Sequence, residues 1–262
     1  MPGREHRGHN THAALLLATC PLQAGNTRLQ QGFFADLLLM GGNLGQVIAR
    51  LVLIPLMERA MNAEAPFHQQ ITSAQPLRNR YLLMRHGHSQ ANADHLIVSD
   101  PEEGRISSGL SSLGVTQLDD LMATWSWPLP ERILHSDFLR TAQTASSLAH
   151  HFALPVAADS RLRERHFGEL EGAPDHFYES VWAYDQQDPL HQEFGVESLI
   201  SVANRMMAVI DDLERKHDDA VLMVVSHGDP LHILLTYLEH RPLGEHRRRR
   251  TLEPASVTLL HG

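Results

Sequence analysis

From Arg78 onward, short apolar runs alternate with longer stretches in which apolar residues recur every three or four positions. The runs "YLLM" (81–84), "RILHS" (132–136), "PVAAD" (155–159), "AVLMVVSH" (220–227) and "SVTLLH" (256–261) have the length and texture of strands. Between them lie helical patterns: "SSLGVTQLDDLMATW", "DFLRTAQTASSLAHHF", "VESLISVANRMMAVIDDLERKH" and "DPLHILLTYLEH". In the third, Leu199, Val202, Met206, Val209, Ile210 and Leu213 form one apolar stripe. Strands alternating with helices predict a three-layer α/β/α fold with a mostly parallel central sheet. Such sheets bind ligands at the carboxyl ends of their strands, so the tips "RHG" and "SHG" are expected to share one crevice.

Residues 1–77 read differently, and the catalytic domain is expected to span 78–262. "AALLLATC" and "FFADLLLMGGNLGQVIARLVLIPLM" are apolar, but Asp36 and Arg50 interrupt the longer run and leave 13 residues between them. A spanning helix needs about 20, so no stable membrane insertion is expected. The first run is also short for a secretory signal, and His, Asn and Thr precede it instead of a lysine-rich start. Three readings of this extension remain: a targeting segment, a packing extension, or translated upstream sequence with the true start at Met57 or Met61.

The formal net charge of −9 argues against a protein built to coat nucleic acid, and the single cysteine, Cys20, excludes an internal disulfide or a Cys-based zinc site. A reducing, cytoplasmic setting fits; homodimer formation is left open.

The strand tips carry the chemistry. His86 and His227 each end an apolar run and each precedes a glycine, Gly87 and Gly228, which lets the backbone turn tightly. An unperturbed imidazole titrates near pH ~6.5, so one could act as a neutral nucleophile beside a cationic partner. Arg85 adjoins His86, and Arg140 lies in the first turn of the helix after "RILHS". A guanidinium fork matches a pair of phosphate oxygens. Two arginines and two histidines about one point suit a compact dianion, phosphate above all. A departing alkoxide also needs a proton, for which Glu164, Glu169 and Glu171 in "RLRERHFGELEG" are candidates that residue chemistry alone does not separate.

"LLMRHGHSQAN" resembles the signature of the histidine phosphatase superfamily, the phosphoglycerate mutase-like enzymes. "SDFLRTAQTA" is similar to that family's second-arginine motif, "LRERHFGELEG" to its acid-bearing segment and "VVSHG" to its second-histidine motif. "GVESLISVANR" and "ASVTLL" resemble its later segments, and all six occur in family order over residues 82–260. The resemblance implies His86 as the phosphorylated nucleophile and Glu164 as proton donor. It implies Arg85, Arg140 and His227 as phosphoryl ligands, with Asn92 and Gly228 nearby. It implies no metal and no cofactor. His88 and Asp229 depart from the common pattern; Asp229 could oppose highly charged substrates or pair with His232.

The family includes mutases and phosphatases. No Lys or Arg lies between His166 and Asn204, a stretch rich in carboxylates, which disfavours gripping a second anion and predicts a phosphatase acting on a small phosphomonoester. Mutase-type transfer is the alternative. Less favoured are a metal-dependent hydrolase built on some of the 19 histidines and a phosphate-binding protein without turnover. The run "HRRRR" (246–250) reads as a solvated loop.

Overall fold

A computed structural model of the chain describes residues 69–74 and 76–262. The sheet has six strands: β1 (Gln69–Thr72), β2 (Arg80–Arg85), β3 (Arg132–His135), β4 (Val156–Ala158), β5 (Val221–Ser226) and β6 (Val257–His261). Their order is β1-β6-β2-β5-β3-β4, parallel throughout except where β6 runs against β2. The helices are α1 (Gln90–Ala93), α2 (Pro101–Gly104), α3 (Ser112–Ala123), α4 (Leu139–Phe152), α5 (Tyr178–Asp185), α6 (Leu199–Lys216) and α7 (Gly228–Leu238).

The central strands are apolar throughout because both of their faces are covered. Tyr81, Leu83, Leu222 and Val224 face the stripes of α6 and α7. Leu82, Met84, Met223 and Val225 face α3 and α4 through Leu118, Ala145 and Leu148. That alternation gives the expected three layers. A satellite cluster of Ile97, Phe167, Val181 and Val196 supports the segment between β4 and α6, including α5.

The sheet takes in residues ahead of the boundary expected at 78. Gln69–Thr72 pairs with Thr258–His261, and Ile71 enters the core. This edge strand has one buried position in four, too little apolar signal to be read from "QQIT". Residues 68–262 form one compact unit. The apolar runs at 13–20 and 33–57, and the three readings of the extension, lie outside the described residues. No helix among the described residues is long and apolar enough to cross a membrane.

Candidate active site

Strand register creates the site. Arg85 is the last residue of β2 and faces Ser226, the last of β5, so His86 and His227 leave the sheet side by side. The His86 amide donates to the Ser226 carbonyl at 3.0 Å, and the two imidazole rings meet edge to face with centroids 5.2 Å apart. Helix α3 packs hard against the loop after His86: a Cβ on Gly114 would stand 2.0 Å from the His88 carbonyl oxygen, so only glycine permits this approach.

Partner chemistry fixes the His86 tautomer. Its Nδ1 lies 2.8 Å from the Gly87 carbonyl oxygen, which can only accept, so Nδ1 carries the proton and Nε2 keeps its lone pair. Arg140, the second residue of α4, donates Nε–H to His86 Nε2 and to His227 Nδ1, both at 3.2 Å. With Nδ1 of His227 accepting, its Nε2–H faces Ser136 Oγ at 2.9 Å. Burial, reinforced by the Arg140 and Arg85 charges, pushes His86 well below the usual imidazole range. Burial, then Arg140 and His86, does the same to His227. The expected pairing of a neutral with a cationic imidazole therefore gives way to two neutral ones: at this depth two guanidinium groups already supply the positive charge.

Both arginines have donors to spare. Arg85 gives Nη1–H to the Leu252 carbonyl at 2.7 Å, and Arg140 gives Nη2–H to the Val98 carbonyl at 3.0 Å. Arg85 Nε and Arg140 Nη1 are buried without a protein acceptor. Buried N–H groups are normally satisfied, so these two mark where an anion would sit. Gly228 opens α7 against Arg85; a Cβ there would lie 3.6 Å from Arg85 Nε.

The fold separates the three glutamates. Glu169 is exposed. Glu171 is spent on a loop, accepting from Ser99 N, Ser99 Oγ and Asp100 N at 2.6–2.9 Å. Glu164 alone of the three lines the cavity, with Oε2 4.0 Å from Arg140 Nη2 and 3.8 Å from His227 Nδ1. Burial raises its carboxyl to about 7, against the pull of Arg140 and with the help of Asp229. Arg205 holds the backbone around it, donating to the carbonyls of Arg161, Arg163 and Glu164 at 2.7–3.2 Å while paired with Glu197. Asn92 also lines the cavity, but its Oδ1 accepts from Ser89 N and Oγ in a capping box.

The seven residues to which the family resemblance gave a role thus meet at one place: six line a cavity of about 220 Å³, and His227 lies buried beneath it. Sequence reasoning missed three others, Tyr178, Trp182 and Arg247. It also misread the basic run. Arg247 is no solvated loop residue: its guanidinium stacks 3.8 Å from the Trp182 ring centroid and pairs with Asp229 at 3.1 Å. Asp229 accordingly pairs with Arg247 and accepts from Trp182 Nε1 at 3.1 Å, not from His232. Burial opposes its ionisation, yet Arg247, His246 and Arg165 hold it down to about 2. Among the described residues, no group of three or more His, Cys, Asp or Glu side chains is arranged to hold a metal ion.

The paired strand-end histidines, the two buried guanidinium groups and the near-neutral carboxyl define a phosphoryl-handling site on an α/β sheet. The chain belongs to the histidine phosphatase superfamily (branch 1), whose profile matches residues 81–262. It is 31% identical over 173 residues to the Proteus mirabilis protein named "Probable phosphoglycerate mutase GpmB", a match covering 64% of this chain and 78% of that one. It is 27% identical over 163 residues to the glucosyl-3-phosphoglycerate phosphatase of Mycolicibacterium vanbaalenii, covering 57% and 69%. A solved mycobacterial glucosyl-3-phosphoglycerate phosphatase in complex with VO3 superposes with a TM-score of 0.60 at 25% identity, covering 69% of this chain and 90% of that one.

Proposed function

We propose that this chain is a phosphomonoester hydrolase that works through a phosphohistidine on His86 and needs no metal or cofactor. The observation that carries the reading is the His86 tautomer: its Nδ1–H is tied to Gly87, which leaves the lone pair on Nε2, where it accepts from Arg140 Nε–H, and His86 lines the same cavity as Glu164. In the first step Nε2 attacks phosphorus and the P–O bond to the leaving group breaks. Glu164, protonated up to about pH 7, gives its proton to the departing alkoxide. In the second step the Glu164 carboxylate takes a proton from water, the resulting hydroxide oxygen bonds to phosphorus, and the P–N bond breaks. Inorganic phosphate leaves, with His86 neutral and Glu164 protonated again. Arg85, Arg140 and His227 hold the phosphoryl oxygens, with Asn92 and Gly228 beside them, and the guanidinium charges stabilise the transferring group.

Hydrolysis is favoured over mutase chemistry because the cations are few. A mutase must hold an intermediate with two phosphoryl groups, and Arg247, the third arginine lining this cavity, is already paired with Asp229. The cavity, about 220 Å³, is below the usual 300–1,000 Å³ of ligand pockets and suits a small ester. Mutase-type transfer is the second reading. It is supported by the relative named a phosphoglycerate mutase, and by Arg247 in the cavity wall, a cation that the residues between His166 and Asn204 do not supply. A panel of phosphomonoesters, each assayed for free phosphate and for isomerised ester, separates the two; isomer forming faster than phosphate from any substrate favours the mutase. A cytoplasmic setting fits a chain with one cysteine.

A further inference from the structure

The four consecutive arginines do not share one fate. Arg248 is exposed and pairs with Glu245 at 2.8 Å, and Arg249 pairs with Glu239. Arg247 turns into the cavity instead. It is held there from several sides. The 3-10 turn that carries it, Leu243–Arg248, is anchored by buried Leu243 and His246. Gly244 sits so close to α5 that a Cβ would lie 2.6 Å from the Asp185 carbonyl oxygen. The guanidinium lies over Trp182, whose ring stacks in turn on Tyr178 at 5.5 Å with 9° between planes. Asp229 ties the pair together, accepting from Trp182 on one oxygen and from Arg247 on the other. Trp182 itself rides on α5, whose last residue, Asp185, receives a two-pronged pair from fully buried Arg165 at 2.7 and 2.9 Å.

We propose that Arg247 is a specificity residue that binds a carboxylate on the leaving group while Arg85 and Arg140 hold the phosphoryl; this rests on the phosphomonoesterase reading above. A planar guanidinium fixed by stacking and by one ion pair has lost its rotamer freedom before a ligand arrives, and its fork matches a carboxylate. Only one of its nitrogens, Nη1, is engaged by Asp229. Asp229 cannot itself serve as the reader of a substrate cation, since both of its oxygens are occupied and it is almost fully buried. Its charge sets the class of anion: a half-compensated arginine suits a singly charged carboxylate, whereas a second phosphate dianion would call for further cations. The cavity, about 220 Å³, suits a leaving group of a few carbons.

The test compares two esters of equal length, 3-phosphoglycerate and glycerol 3-phosphate, which differ at the far end by a carboxylate against a hydroxymethyl group. Arg247→Gln should lower kcat/KM for 3-phosphoglycerate at least tenfold more than for glycerol 3-phosphate, mainly through KM, and Arg247→Lys should recover part of the difference. An equal fall for both esters, or a fall confined to kcat, overturns the proposal. Calorimetric binding of the same two esters to His86→Ala, with and without Arg247→Gln, keeps the question separate from turnover. A selective loss of 3-phosphoglycerate binding supports Arg247 even if the wild type hydrolyses neither ester, a result that would count against the hydrolase reading alone. Binding of the two esters that Arg247→Gln weakens equally, or leaves unchanged, overturns the proposal.

Discussion

Arg140 Nε lies 3.2 Å from His86 Nε2, so the nitrogen proposed to attack phosphorus is already in contact with a cation proposed to hold the phosphoryl group. The same N–H reaches His227 Nδ1 at 3.2 Å. One guanidinium therefore contacts both imidazoles and adds to the burial that keeps them neutral.

Arg140→Ala should weaken competitive inhibition by vanadate about 10- to 100-fold, the loss expected when a hydrogen bond to a charged group worth ~1.5–3 kcal/mol is removed. Arg215→Ala, on an exposed stretch of α6, should leave inhibition unchanged. EDTA should not inhibit the wild type or Arg215→Ala, because in the proposed mechanism Arg85 and Arg140 supply the charge that a metal would otherwise bring. Inhibition by EDTA that added Zn²⁺ or Mn²⁺ reverses would contradict this.

The pH profile follows from Glu164 and the histidines. Glu164 must be protonated to assist the leaving group, so kcat/KM should fall as pH rises through about 7. His86 must be neutral, and burial keeps it so well below the usual imidazole range, which places the acid limb under pH ~6.5. Asp229→Asn removes an anion that raises the Glu164 pKa and releases the Arg247 charge, so the alkaline limb should move to lower pH. Glu164→Gln should abolish that limb and cut kcat roughly 10²- to 10⁴-fold. An alkaline limb that moves upward in Asp229→Asn would refute the electrostatic coupling.

Where the domain begins can be tested with two truncations. None of the site residues precedes Arg85, so we expect a chain starting at His68 to keep its kcat. A chain starting at Arg78 loses β1, leaves β6 as an open edge and uncovers the core position of Ile71. It should be less stable by about 2 kcal/mol or more, the value of burying one such side chain. Equal stability of the two truncations would show that β1 contributes nothing.

Much of this site was legible in the sequence because its parts sit where strands end. An apolar run, then Arg85-His86-Gly87 or Ser226-His227-Gly228, marks a strand tip whatever the sheet order. That β5 is the neighbour of β2, which brings the two tips together, follows from packing rather than from either motif. Glu164 could not be told from Glu171 by residue type, since the difference lies in Ser99 and Asp100 reaching Glu171 from far along the chain. Arg247 was misjudged for the same reason. Nothing local in "HRRRR" says that one of four arginines is turned inward by Trp182 and Asp229, contacts that span 65 and 18 residues of sequence. The charge state of the imidazoles was likewise set by burial, which spacing does not report.

The central claim is a covalent phosphoryl group on one nitrogen of one histidine. Wild-type protein mixed with a labelled phosphomonoester and quenched within milliseconds should carry acid-labile, base-stable label on His86, and the phosphorus should be bonded to Nε2, since Nδ1–H is committed to the Gly87 carbonyl. His86→Ala should fold, take no label and lose turnover. Label on another residue, or a folded His86→Ala protein with turnover within about tenfold of wild type, would contradict the account.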